Sequence, residues 1–359
     1  MKYALFPTAE AMLLPEMLSE LVGQKITAVS LQPVTTAYGR SGSRILIVNT
    51  NQGNGPRFIL KRASLAWDWL MRHTKDTLCR SVTLWQYGIF DQMPIPICPG
   101  VIACARDNEG WAILMEDFSD ILLPFAPFTQ AQNHFFLEAM AALHARFWQD
   151  PALKAPTVGL CKLHHLYAMF APHTARTEIA GENNIPRRVI EGWALAETIL
   201  PSDVWQILAD LLNTPQPLCE ALGQFPFTLV HADWRHANQG HDAAMTKLAL
   251  LDWQLATAAP PIVDLARYLI TNSPLLPTTK EDAVEFYRQQ LANRLGTHFA
   301  NEWWQPQLAL GLLGSFLQDG WAVVLKASHW QVGAAHRAHW QADVAWWAEQ
   351  VRKGFLELG

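Results

Sequence analysis

Two short apolar runs that each end on an aspartate constrain this chain more than any other feature. Leu229-Val230 leads into His231-Ala232-Asp233-Trp234-Arg235-His236-Ala237-Asn238, and Leu250-Leu251 leads into Asp252-Trp253. Asp252 lies 19 residues after Asp233, and Asn238 lies five after it. Apolar runs of this length, bounded by polar residues, read as buried strands that hand their last residues to loops. The fold must therefore bury two strands and still bring two carboxylates and an amide to their ends.

A chain of 359 residues is long enough for two lobes with real cores. Hydrophobic residues make up 50% and charged residues 16%, against roughly 25% charged in a typical domain, which excludes a disordered chain. The formal charge of -5 argues against a phosphate-backbone partner, so no nucleic acid is expected. Cys79, Cys98, Cys104, Cys161 and Cys219 are an odd, scattered set without a Cys-x-x-Cys pair, which suits free thiols in a reducing cytosol. The segment Met1-Lys2-Tyr3-Ala4-Leu5-Phe6-Pro7 lacks the apolar core of a signal peptide. The longest apolar stretch, 308–327, is interrupted by Gln318, Asp319 and Gly320, and reads as a buried helix and not a membrane span. A cytoplasmic protein with no membrane partner is the expectation.

Along the chain, the first third reads as strands around one helix. Strands are expected at 26–34, 44–50, 57–61, 101–105 and 111–115, with a helix over 65–90. From Thr129 the pattern turns helical. Thr129 and Gln132 fit a capping box, and Phe136, Met140, Leu143 and Phe147 recur along one helical face. Further helices are expected at 204–212, 262–271, 281–295, 307–327 and 336–355, with short strands at 227–231 and 248–252. The reading is α+β and two-lobed: residues 1–118 form a sheet lobe with one main helix, and 119–359 a larger helical lobe.

The loop residues suit phosphoryl transfer, which needs a carboxylate to receive the acceptor's proton and oxygen donors to hold Mg²⁺ on the phosphates. Asp233 is the candidate base, and Asn238 and Asp252 are the candidate Mg²⁺ ligands. Lys61 closes the run Phe58-Ile59-Leu60-Lys61, where its ammonium either meets ATP phosphates or reaches solvent. The loop from Gly39 to Ser43, with Ser41, Gly42 and Ser43, offers backbone amides to phosphates. Glu116-Asp117-Phe118 is either a solvated linker or the main chain that meets the adenine edge. Asp264 reads as support for the catalytic loop through backbone amides. His231 reads as a hydrogen-bonded neighbour and not a metal ligand, because its spacing from His236 does not put both on one helical face. His144 reads as packing beside the loop.

The order and spacing of Phe58-Ile59-Leu60-Lys61, Ile113-Leu114-Met115-Glu116-Asp117, Leu143-His144-Ala145-x-Phe147-Trp148, the His231-to-Asn238 loop, Leu251-Asp252-Trp253-Gln254 and Asp264-Leu265-Ala266 resemble those of a known family. It is the aminoglycoside phosphotransferase and choline kinase-like family of small-molecule kinases. The resemblance implies a protein kinase-like fold with a nucleotide-binding N-terminal lobe and an acceptor site in the helical lobe. It also implies an ATP- and Mg²⁺-dependent phosphotransferase acting on a hydroxyl of an aminoglycoside-, amino alcohol- or natural-product-like molecule. In that reading Asp233 is the base, Asn238 and Asp252 hold Mg²⁺, and Lys61 binds phosphate.

Two departures stand out. Ala232 occupies the place of a usual glycine, harmless if the loop avoids positive φ, and Ser81 stands where a lysine-pairing glutamate is expected. The second departure motivates an alternative, a degenerate non-catalytic nucleotide- or ligand-binding member of the same fold. Seven tryptophans between Trp303 and Trp347 read as core, with aromatic recognition of an amine as the other possibility.

Overall fold

The computed structural model describes residues 1–34 and 41–358. The chain divides into two compact units that are interleaved in sequence. The first comprises Met1–Leu122, Ala155–Gly159 and Ala237–Gln254; the second comprises Leu123–Lys154, Leu160–His236 and Leu255 onward. A single cut after residue 118 would strip the first unit of two later segments.

The first unit is built on a five-stranded antiparallel sheet. Its strands are β1 (Val29–Val34), β2 (Arg44–Thr50), β3 (Phe58–Ala63), β5 (Val101–Asp107) and β6 (Gly110–Glu116), in the order β1-β2-β3-β6-β5. Alternation along β3 buries Phe58 and Leu60 on one face, beside their buried register partners Val48 and Leu114. A second sheet joins β4 (Ile97–Cys98), β9 (Leu248–Leu250) and β8 (Gln239–His241), with β4 parallel to β9 and β8 antiparallel to it.

The helix expected over 65–90 is instead two short helices, Trp69–His73 and Arg80–Gln86. The acids inside the expected helix explain the break. Asp68 caps the first helix by accepting the Met71 N–H, and both Asp76 oxygens accept the Arg80 N–H that opens the second. Between them Lys75 and Cys79 take φ of 54° and 59°, which no α-helix accommodates.

The second unit is helical, with one two-stranded ladder pairing β7 (Thr228–Val230) with β10 (Thr257–Ala259). Helix Gln130–Arg146 begins with the expected capping box of Thr129 and Gln132. Helix Trp304–Ser328 packs against Ile185–Ile199, Ile262–Thr271 and Arg337–Leu356. Two glycines permit that closeness: a Cβ on Gly192 would stand 2.5 Å from the Trp321 carbonyl oxygen, and one on Gly311 2.6 Å from the Ile262 side chain. The 301–328 segment is apolar and long enough to cross a membrane, yet 89% of its most apolar window is buried within the protein. Trp304, Trp321, Trp340 and Trp347 are buried, as core tryptophans are.

Candidate active site

In the second unit, β7 delivers the chain into the loop that carries Asp233. One side chain fixes the loop's entry. Asp264, fully buried in the first turn of helix Ile262–Thr271, accepts the His231 N–H at 2.8 Å and the Ala232 N–H at 2.6 Å. Its Oδ2 also lies 3.1 Å from His144 Nε2, and His144 Nδ1 lies 2.5 Å from the Tyr287 hydroxyl. The loop's exit is fixed from the other end of the same helix, where Asn272 accepts the His236 N–H at 2.8 Å. Asp264 supports the loop through backbone amides, as expected, and His144, expected as packing beside the loop, is buried and hydrogen-bonded through both ring nitrogens. The loop does not avoid positive φ at Ala232: its φ is 63°, in the left-handed region that favours glycine.

Asp233 is buried, and two guanidinium groups face its carboxylate. Arg267 donates from Nη2 at 2.9 Å and Nε at 3.2 Å to Oδ1, and Arg235 donates from Nε at 3.1 Å to Oδ2. Arg267 Nη1 stands 3.3 Å from Asp319 of helix Trp304–Ser328. Burial works against the Asp233 charge, but Arg235 and Arg267 outweigh it and hold the carboxyl well below the usual carboxylate range. His231 is fully buried, and its Nδ1 accepts the Asp233 N–H at 3.2 Å. Sequence reading missed Arg235, Arg267 and Asn272 and treated Asp319 only as a carboxylate near tryptophans. The available signal was the three-residue spacing from Asp264 to Arg267, which puts both on one helical face.

In the first unit, the β8–β9 register sets Gln239 opposite Leu250, and the Leu251 N–H donates to the Asn238 carbonyl at 2.9 Å. Asn238 and Asp252 thus sit at the same end of one hairpin. Lys61, on β3, places Nζ 2.7 Å from Asp252 Oδ1. Burial opposes the Lys61 ammonium, but the charge of Asp252 and, behind it, Asp68 hold its pKa above the ordinary value. Ser81 is buried and lines a cleft of about 10 Å³ together with Lys61, Ile113, Met115 and Asp252, space for one water at most. The direct acidic partner of Lys61 is therefore Asp252. Asn238 and Asp252 supply an amide oxygen and a carboxylate, hard donors of the kind Mg²⁺ takes when it shares its shell with phosphates.

The remaining expected residues also lie in the first unit. Gly39 and Arg40 fall outside the described residues. The Ser41 carbonyl accepts the Trp69 N–H at 3.1 Å, and Ser43 Oγ donates to Asp68 at 2.7 Å. Gly42 has φ of 101°, and a Cβ there would stand 2.6 Å from the Trp67 carbonyl oxygen, so only glycine fits. The Glu116 N–H donates to the Gly100 carbonyl at 2.8 Å, and its carboxylate receives Lys247 Nζ at 2.6 Å. Lys247 Nζ also stands 4.8 Å from the centroid of the Phe118 ring. The Phe118 carbonyl accepts from the Ile121 N–H at 2.9 Å and the Leu122 N–H at 3.1 Å.

A family model described as the phosphotransferase enzyme family matches residues 38–303. No curated protein matches the chain. Among solved structures, an ethanolamine kinase of Plasmodium vivax is similar with a TM-score of 0.53 at 11% identity, over 93% of this chain and 86% of that one. Choline kinase from Cryptosporidium parvum is similar with a TM-score of 0.51 at 11% identity, over 90% of this chain and 89% of that one. At such identities the likeness is one of fold: α+β, of the protein kinase-like phosphotransferase type.

Proposed function

This chain belongs to the phosphotransferase enzyme family, and from that premise we propose that it is a kinase transferring the γ-phosphoryl group of ATP, with Mg²⁺, to a hydroxyl of a small molecule. The observation that carries this reading is the Lys61–Asp252 pair at 2.7 Å, at the hairpin end that also holds Asn238. A lysine and a carboxylate 191 residues apart in sequence, beside a second oxygen donor, suit a polyphosphate and its cation.

In the reaction the acceptor oxygen bonds to the γ-phosphorus, the bridging bond to ADP breaks, and the hydroxyl proton passes to Asp233. Held by two guanidinium groups, Asp233 is a weak base. A loose transition state needs little proton removal before the phosphoryl group has moved, so the carboxylate serves first to orient the hydroxyl. Asn238 and Asp252 would hold Mg²⁺, which when bound neutralises charge on the transferring phosphates. Lys61 exchanges its bond to Asp252 for one to the nucleotide phosphates, covered by amides of the Ser41-Gly42-Ser43 loop. The main chain at Glu116 and Phe118 meets the adenine edge.

Amino alcohols are the first acceptors to test, given the ethanolamine and choline kinases of similar fold, followed by aminoglycosides and other natural-product hydroxyls. The scattered cysteines, three of them buried, suit a cytoplasmic setting.

Calorimetric titration with ATP, ADP and GTP, with and without Mg²⁺, on wild type and Asp252→Ala tests the reading. Mg²⁺-dependent binding lost in the variant supports it and leads to an ADP-release screen with ethanolamine, choline and aminoglycosides. A folded wild-type protein that ignores every nucleotide sinks the kinase assignment and turns attention to a non-catalytic binding member of the fold.

A further inference from the structure

Asp68 lies outside every motif so far assigned, yet it is fully buried and its carboxylate gathers three donors from separate segments. Ser43 Oγ reaches it at 2.7 Å from the loop before β2, and the Met71 N–H at 3.0 Å from the helix that follows. Gln254 Nε2 reaches it at 2.9 Å from two residues beyond Asp252. Gln254 in turn accepts Arg80 Nη1 on its carbonyl at 2.9 Å, next to Ser81.

A helix cap alone needs one oxygen, which Ser, Thr or Asn supplies without burying a charge. An asparagine oxygen accepts at most two donors, whereas a carboxylate accepts all three. The chemistry of Asp68 therefore fits a junction better than a cap. Nearby, Ser81 contributes no charge to the cleft it shares with Lys61.

We propose that Asp68 is the positioning residue of the phosphate site: it ties the Ser41-Gly42-Ser43 loop to the segment carrying Asp252, so that loop amides, Lys61 and Asp252 are held together for the nucleotide's phosphates. This rests on the kinase reading above.

The test compares MgATP with adenosine, which has no phosphates, by calorimetry on the full chain. Asp68→Ala should weaken MgATP about tenfold or more and Ser43→Ala about threefold, while adenosine binds within twofold of wild type. The double variant should be no weaker than Asp68→Ala alone, because both remove one junction. Equal loss of adenosine and MgATP overturns the proposal, since that is general collapse and not phosphate positioning. MgATP binding within twofold of wild type in both variants also overturns it. Should Asp68→Ala not fold, Ser43→Ala decides alone by the same two criteria. A wild-type protein that binds neither compound removes the kinase reading itself, a result visible before any variant is made.

Discussion

At the residue scale, the two arginines around Asp233 decide how it works. Asp233→Ala should lower kcat by about 10²- to 10⁴-fold, the range for a lost acid–base group, while MgATP affinity stays within a few-fold. Comparable loss of both would mean that Asp233 serves binding and not transfer. The pH dependence follows from the direction of its shift. A carboxyl held below its unfolded value contributes stability above about pH 4 and loses it only as pH falls through the lower folded value. Asp233 should therefore put no acidic limb on kcat/KM above about pH 5. Arg235→Ala removes one of the two cations and should move that limb upward, measurable as a pH–rate profile of the variant against wild type. At Ala232 three effects compete. Glycine would relieve about 1–2 kcal/mol of left-handed strain. It would also forfeit about 0.8 kcal/mol of buried methyl and add about 0.4–1 kcal/mol of unfolded-state entropy. The sum is close to zero, so Ala232→Gly should shift the melting temperature by no more than about 3 °C. Ala232→Val, β-branched at positive φ, should be strongly destabilising. A glycine variant much more stable than wild type would show that the strain is larger than these terms allow.

At the element scale, one helix clamps the Asp233 loop from both of its ends, through Asp264 and Asn272. Asp264→Ala leaves the His231 and Ala232 amides and His144 without their buried acceptor. At about 1–3 kcal/mol per orphaned group, it should cost about 3 kcal/mol or more in denaturant unfolding. The Asp264 end of this clamp was legible in the sequence, because Asp264 sits among apolar residues at a helix start, where a carboxylate needs amide donors; the Asn272 end was not. The spacing of Arg267 from Asp264 put both on one helical face, but the partner of Arg267 was not legible, since Asp233 is 34 residues away and an arginine in an apolar helix names no partner. The 65–90 helix was misread for a related reason: Asp68 and Asp76 look like residues on a helix face until their capping bonds are seen. Asp76 carries its own pH signature. Burial, only partly offset by Arg80, pushes it up to about 6. A carboxyl raised above its unfolded value contributes stability below about pH 4 and loses it as pH rises through about 6. The melting-temperature difference between Asp76→Asn and wild type should become more favourable to the variant between pH 5 and pH 7.5, whatever its sign at either end. A difference that does not change with pH would mean that Asp76 is not titrating in that window.

At the scale of the whole molecule, the interleaving of the two units matters more than where a domain boundary is drawn. The strands of the first sheet were legible from alternation and turn residues, but the return of 155–159 and 237–254 to that unit was not, because pairings over such separations leave no local pattern. The consequence is testable by truncation. A fragment of residues 1–122 keeps all five strands of the large sheet yet loses β8 and β9, and with β9 the only partner of β4 among the described strands. It loses Asp252, the partner of Lys61, and Gln254, a donor to Asp68. Arg80, 1% exposed, loses two of its acceptors, the carbonyls of Gly159 and Gln254, each at 2.9 Å. A buried cation stripped of acceptors costs about 1–3 kcal/mol per lost bond, and the Lys61 and Asp68 losses add to it. Domain stability is typically about 5–15 kcal/mol in total, so the sum approaches or exceeds what the fragment has. The 1–122 fragment should therefore show no cooperative thermal transition by circular dichroism, whereas the full chain melts cooperatively. A sharp melt of the fragment with native-like strand content would show that the large sheet and its two short helices are sufficient, and that the returning segments serve the site and not the fold.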